Sequence, residues 1–109
     1  MSFNIKTISV FERQVKRLVK KFPSLKKEIQ ELIKELKQEP EKGTSIGNNC
    51  YKIRLSIASK GKGKSGGARV IIHVVLKDGI VYLLSIYDKS ELENLTDNEI
   101  LQLIKLIPR

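Results

Sequence analysis

Lys52, Arg54, Lys60, Lys62, Lys64 and Arg69 all fall between Tyr51 and Arg69, in the stretch YKIRLSIASKGKGKSGGAR, which holds no carboxylate. The acid-free region is wider still, running from Gly43 to Lys77. Guanidinium groups bind phosphate bidentately and keep their charge. An ammonium is a point charge that gives up a proton when other cations crowd it. Several such groups around one phosphate would stabilise the extra negative charge of a pentacovalent transition state. Uncompensated positive charge beside glycines points to a polyanionic partner.

Absences narrow the chemistry. GKGKSGG invites comparison with a nucleotide-binding phosphate loop, but the glycine required five positions before Gly63-Lys64-Ser65 is Ala58. That motif also needs a helix after the loop, and here an apolar alternating strand follows. What remains is a glycine loop whose Lys60, Lys62 and Lys64 can follow a phosphate backbone. No cluster of Asp and Glu accompanies the basic stretch, which argues against two-metal phosphodiester cleavage, and a lone histidine, His73, rules out a histidine acid–base pair. Neither a metal nor another cofactor is called for. RNA supplies its own nucleophile, the 2′-hydroxyl, so a protein acting on it needs orientation, charge stabilisation and a modest acid or base, for which lysine or tyrosine serves. Tyr51 and Tyr82 fall on apolar strand faces. Tyr87 closes a strand beside Asp88 and Lys89, where it is expected to meet the surface and either stack on a base or move a proton. Cys50 has no base beside it that would make a thiolate, and reads as a small filler before a strand.

The elements that must carry these residues follow from periodicity. Residues 3–8 alternate as a short edge strand. Ser9 with Glu12 is a capping-box pattern ahead of a helix over 10–22, whose stripe is Phe11, Val15, Leu18, Val19 and Phe22. Pro23-Ser24 breaks the chain, with Ser24 placed to cap a second helix over 25–39 striped by Leu25, Ile29, Leu32, Ile33 and Leu36. The pair reads as an antiparallel helical hairpin that packs on a sheet. Residues 44–50 are turn-rich. Tyr51 to Ile57 alternates strictly, with Lys52 and Arg54 on the polar face; if the strand from Ala68 to Leu76 pairs with it, Arg69 joins that face near the loop. Asp78-Gly79 predicts a two-residue hairpin turn into a nearly all-apolar central strand over 80–87. Asp88 with Glu91 suggests a short helical turn over 88–94. Thr96 with Glu99 caps a last helix over 97–107, whose broad apolar set fits either a helix wrapped on the core or one with a second contact.

The expected fold class is therefore α+β, in the order β-α-α-β-β-β-α, with the hairpin on a small, mainly antiparallel twisted sheet and a C-terminal helix. With 109 residues, no internal repeat and no linker, a single domain over 1–109 is expected. The net charge of +9 is uneven: residues 43–77 carry seven cations and no acid, whereas residues 78–109 carry three cations and six acids. A local basic face fits this better than a uniform coat. One cysteine makes no internal disulfide, and no apolar run is long enough to span a membrane. The expected location is the cytoplasm.

YKIRL, SKGKGKSGGARVI and YLLSIYDKSELENL together resemble the RelE/ParE superfamily of type II toxin–antitoxin toxins, most closely its RelE/HigB-like branch, over nearly the whole chain. The resemblance implies a RelE-like fold and a metal-independent, ribosome-dependent endoribonuclease that cuts mRNA in the A site. It also implies a cognate antitoxin with an acidic or amphipathic segment, and a toxin that is monomeric when free. By position it assigns Lys52 and Arg54 to the basic pair after the helical hairpin, Arg69 to the arginine opening the next strand, and Lys89 to a further cation. The family's C-terminal catalytic tyrosine has no counterpart around Leu92 to Leu95, leaving Tyr87 or a lysine for proton transfer. ParE-like members of the superfamily poison gyrase instead, and a non-enzymatic nucleic-acid-binding module would share the same charge pattern.

Overall fold

A computed structural model describes residues 2–60 and 66–108. The chain runs β1 (Asn4–Thr7), α1 (Ser9–Lys21), α2 (Leu25–Gln38), β2 (Thr44–Gly47), β3 (Cys50–Leu55), β4 (Ala68–Val75), β5 (Ile80–Asp88) and α3 (Asp97–Lys105), with short 3-10 turns at Ala58–Lys60 and Leu76–Asp78. The expected order holds with one strand added. The five strands form a single sheet in the order β1-β5-β4-β3-β2, in which only β1 against β5 is parallel.

The apolar stripes of the first two helices go where their spacing requires. Phe11 and Leu18 of α1 and Leu25, Ile29, Leu32 and Leu36 of α2 are buried, with Phe22 at the junction. They close over the sheet face that carries Ile53, Val70, Ile72, Val74, Val81 and Ile86. Each fully buried leucine contributes about 1.5–3 kcal/mol relative to an exposed one. α3 covers part of the other face with Ile100, followed by Ile107, while Leu101 and Leu106 remain exposed. The broad apolar set of this helix thus splits between core and surface.

Local details depart from the sequence expectations for physical reasons. β2 is the added strand. Asn48 and Asn49 both take positive φ, 54° and 59°, making a tight turn that folds Thr44–Gly47 back onto β3. Gly43 leads into this hairpin at φ +97°, and a Cβ there would lie 2.5 Å from the Lys52 carbonyl oxygen, so only glycine fits. The β4–β5 connection is longer than the expected two-residue turn: Val75 pairs with Ile80, and the intervening 3-10 turn ends on Gly79 at φ 65°. At α1 the capping residue is Ile8, and Glu12 accepts from the Thr7 hydroxyl instead of pairing with Ser9. Ser24 occupies the N-cap of α2 but its hydroxyl donates to Glu28. Over 88–94 a single turn forms and goes no further: the Glu91 and Leu92 amides donate to the Asp88 carbonyl at 2.9 and 3.1 Å, and the Ser90 amide donates to the Asp88 carboxylate at 3.0 Å. The Thr96–Glu99 capping box does form, at 2.8 and 3.1 Å.

Candidate active site

Three antiparallel strands bring the sequence-distant cations together. In the β3–β4 register Arg54 is opposite Arg69, and in the β4–β5 register Arg69 is opposite Tyr87. Residues directly opposite in a sheet share a face, with Cβ atoms about 4.5–5.5 Å apart. Arg54, Arg69 and Tyr87 therefore form one transverse row. Lys52 lies two residues along β3, on the same face and opposite Ile71. The helical hairpin occupies the other face of the sheet, so the row stands on the side that α3 only partly covers.

The members of the row differ in exposure. Arg54 is exposed. Arg69 is 3% exposed and donates to the Ala68 carbonyl at 3.1 Å. Lys52 is half-buried and donates to the Asn94 side chain at 2.9 Å. Tyr87 is 5% exposed, so the expected surface position at the strand end is not what forms. The stretch from Asn94 to Ile100 returns across this end of the sheet, leaving a cavity of about 150 Å3 among Lys52, Ile71, Tyr87, Asn94 and Asp97. The Tyr87 hydroxyl is sealed from solvent and has no hydrogen-bond partner among the described residues. Burial pushes its pKa up, and the Arg69 charge offsets part of that rise. In this arrangement the phenol holds its proton at neutral pH.

The remaining candidates lie around the row. Lys89 is exposed, and its amide donates to the Gly67 carbonyl at 3.1 Å, placing it beside the start of β4. Lys62 and Lys64 lie outside the described residues. Lys60 is turned inward, away from the solvent-facing position expected of a loop lysine. Its ammonium forms an ion pair with Asp88 and lies 5.5 Å from the Phe22 ring centroid, on the helical-hairpin side. A carboxylate as enclosed as that of Asp88 requires such a partner, and this decides where Lys60 goes. The sequence reading did not pair these two, since their meeting depends on how the 3-10 turn docks on α2.

Two further titratable groups, Cys50 and His73, face each other across β3 and β4 on the same side of the sheet. Cys50 is fully buried, its Sγ 3.4 Å from His73 Nδ1, and burial pushes the thiol up to about 11. It remains a protonated filler, and His73 is half-buried in the sheet as its place in β4 predicts. Among the described residues, no three His, Cys, Asp or Glu side chains gather as a metal site would require. The row therefore offers fixed positive charge from Arg54 and Arg69.

Comparison with known proteins bears on both fold and family. A sequence model described as the RelE toxin of the RelE/RelB toxin–antitoxin system matches residues 8–107. Among solved structures, a double arginine-to-alanine mutant of the E. coli toxin RelE in the free state superposes with a TM-score of 0.62 at 16% identity, covering 99% of this chain and 100% of the other. The isolated E. coli RelE toxin gives 0.57 at 17% identity, covering 97% and 100%.

Proposed function

This chain belongs to the RelE toxin family of toxin–antitoxin systems, and we propose that it is a metal-independent, ribosome-dependent endoribonuclease that cleaves mRNA in the A site and so inhibits translation. The family implies an antitoxin partner, which we expect to present an acidic or amphipathic segment. No helix among the described residues is long and apolar enough to cross a membrane. The free toxin is proposed to be a cytoplasmic monomer.

The observation that carries this reading is the transverse row of Arg54, Arg69 and Tyr87 with Lys52 beside it. RNA provides the 2′-hydroxyl, which attacks the adjacent phosphorus. The bond to the 5′-oxygen breaks, leaving a 2′,3′-cyclic phosphate and a free 5′-hydroxyl. One proton leaves the 2′-oxygen and one reaches the 5′-oxygen. Arg54 holds the non-bridging oxygens as their charge grows, and the buried Arg69 adds positive charge behind it. Lys89, together with Lys62 and Lys64, binds the flanking backbone. Lys52 and Tyr87 border one cavity and are the candidates for proton transfer; Lys52 is the more accessible of the two, and the Tyr87 phenol is protonated but enclosed. The ribosome supplies what a small basic face lacks, namely an mRNA strand already held in an extended, single-stranded form.

Primer extension on mRNA from cells producing the unaltered toxin or Arg54→Ala, with and without translation blocked, tests this. Cuts within coding sequence that require translation and vanish with Arg54→Ala are expected. Growth arrest with intact mRNA, or undiminished cutting by Arg54→Ala, would overturn it. Arg54 is the better target than Arg69, because it is exposed and its truncation spares the fold.

A further inference from the structure

Lys60 closes the 3-10 turn after β3, and Asp88 closes β5. Their side chains are 10% and 1% exposed and form an ion pair. Asp88 Oδ1 also accepts from the Ser90 amide at 3.0 Å and the Ser90 hydroxyl at 2.9 Å. The turn that carries Lys60 is itself fastened to the start of α2. The Ala58 amide donates to Glu28 at 2.7 Å, and the Ser59 amide donates to the Ser24 hydroxyl at 2.9 Å. Three elements thus meet at one charge pair: the hairpin junction, the exit of β3 and the end of β5.

A buried ion pair is a poor device for stability alone, because desolvation consumes most of the Coulombic gain and an apolar pair of similar volume does as well or better. It does, however, demand one distance and one direction, which an apolar contact does not. What it holds here is telling. Asp88 pairs with Ala68, and the next residues inward, Tyr87 and Arg69, form the row on the opposite face. Lys89 follows Asp88 directly, with its amide on Gly67.

We propose that the Lys60–Asp88 pair is a positioning device for the site: from the reverse face of the sheet it locks the strand ends from which Arg69, Tyr87 and Lys89 project. The inference rests on the endoribonuclease reading above. The pair touches no substrate and acts through those three residues. It has a second effect. A carboxylate beside Tyr87 and Lys89, if left uncompensated, would draw cations away from the phosphate. Lys60 neutralises it on the far side of the sheet.

The test is a double variant, Lys60→Met with Asp88→Leu, which replaces the pair by apolar side chains of similar size. Cleavage is followed in a translating extract, as the single-turnover rate at saturating ribosomes and the ribosome concentration giving half that rate, alongside thermal melting. The expected result is melting at or above that of the unaltered protein, with a single-turnover rate roughly tenfold to a hundredfold lower and an unchanged half-saturating concentration, as misplacement by about 1 Å produces. Lys60→Gln, which keeps a donor toward Asp88, is the second arm should the double variant not fold, and roughly a tenfold loss of rate is expected of it. Lys60→Arg, which keeps the charge, should restore most of the rate. A folded variant that cuts at the unaltered rate would overturn the inference, and so would a loss confined to half-saturation, which would make Lys60 a substrate contact. If the unaltered protein does not cut mRNA at all, the nuclease reading fails and this one with it. Normal cutting by the wild type with undiminished variants removes the positioning role alone.

Discussion

The two faces of the sheet treat charge in opposite ways. On the helical-hairpin side, Lys60 and Asp88 meet inside the protein and cancel. On the α3 side, Arg54 stands directly opposite Arg69, two like charges that repel across a strand pair. Neighbouring residues of the same two strands, Ala68 and Arg69 on β4, Tyr87 and Asp88 on β5, feed these contrasting environments because successive side chains point to opposite faces. The comparison teaches that the excess of cations on one face is a local arrangement and not a by-product of net charge. Asp88, the acid next to Tyr87 in sequence, is directed to the other side. A local conflict of this kind is expected where function, and not stability, sets the residue types.

Removing one partner on the compensated face should do the most damage. Lys60→Met alone leaves the Asp88 carboxylate enclosed and unpaired and should cost about 3–5 kcal/mol, read by urea denaturation at neutral pH. The unaltered pair should also shape the acid limb of stability. Burial pushes the Asp88 carboxyl up, but the Lys60 ammonium and the Ser90 hydrogen bonds outweigh it and hold the pKa below the ordinary carboxylate range. A group depressed in the folded state adds stability above its unfolded pKa and loses it as pH falls through the folded value. Stability of the wild type should therefore decline on acidification below about pH 4, more steeply than that of the Lys60→Met/Asp88→Leu variant.

On the α3 side the effect should fall on activity. Arg54→Ala should lower mRNA cleavage by about a hundredfold to a thousandfold, the usual loss on removing one donor to a developing oxyanion. Its stability should rise by about 0.2–1 kcal/mol, since a like-charge pair disappears. A destabilised Arg54→Ala would break the contrast between the faces. Tyr87→Phe sharpens it further. The hydroxyl is enclosed without a partner among the described residues, so its removal should stabilise the protein by about 1 kcal/mol in a denaturant titration. Retained cleavage in that variant would assign the acid to Lys52. The smallest effect belongs to a charge pair outside both environments. Arg17 and Glu91 meet at 3.2 Å with both side chains largely exposed, and breaking them by Glu91→Gln should shift unfolding by less than about 1 kcal/mol.

Much of this architecture was legible in the sequence, because helices and buried strands announce themselves through the spacing of apolar residues. The stripe Leu25, Ile29, Leu32, Leu36 is buried as read, and the alternation after Cys50 placed Lys52 and Arg54 on one face. Arg69 joined them because a hairpin brings its two strands into register. β2 escaped because Thr44-Ser45-Ile46-Gly47 carries one half-buried apolar side chain, and backbone pairing through an Asn-Asn turn makes it a strand. The burial of Tyr87 and the inward turn of Lys60 escaped for a different reason. The tyrosine depends on how the irregular segment from Asn94 folds back over the strand end, and the lysine on the docking of its 3-10 turn against Ser24 and Glu28 and on Asp88, and no periodic pattern encodes such meetings.

The parallel pairing of β1 with β5 carries a consequence for how the protein comes into being. Asn4 is the partner of Ile80, and Thr7 of Leu83, so the first strand to be synthesised waits for almost the last. Contacts of such long sequence separation form late, after the loop between them has been closed. While a ribosome is still making this chain, β1 has nothing to pair with and the Arg69–Tyr87 neighbours do not yet exist together. The topology thereby delays completion of the five-stranded sheet until β5 has been made.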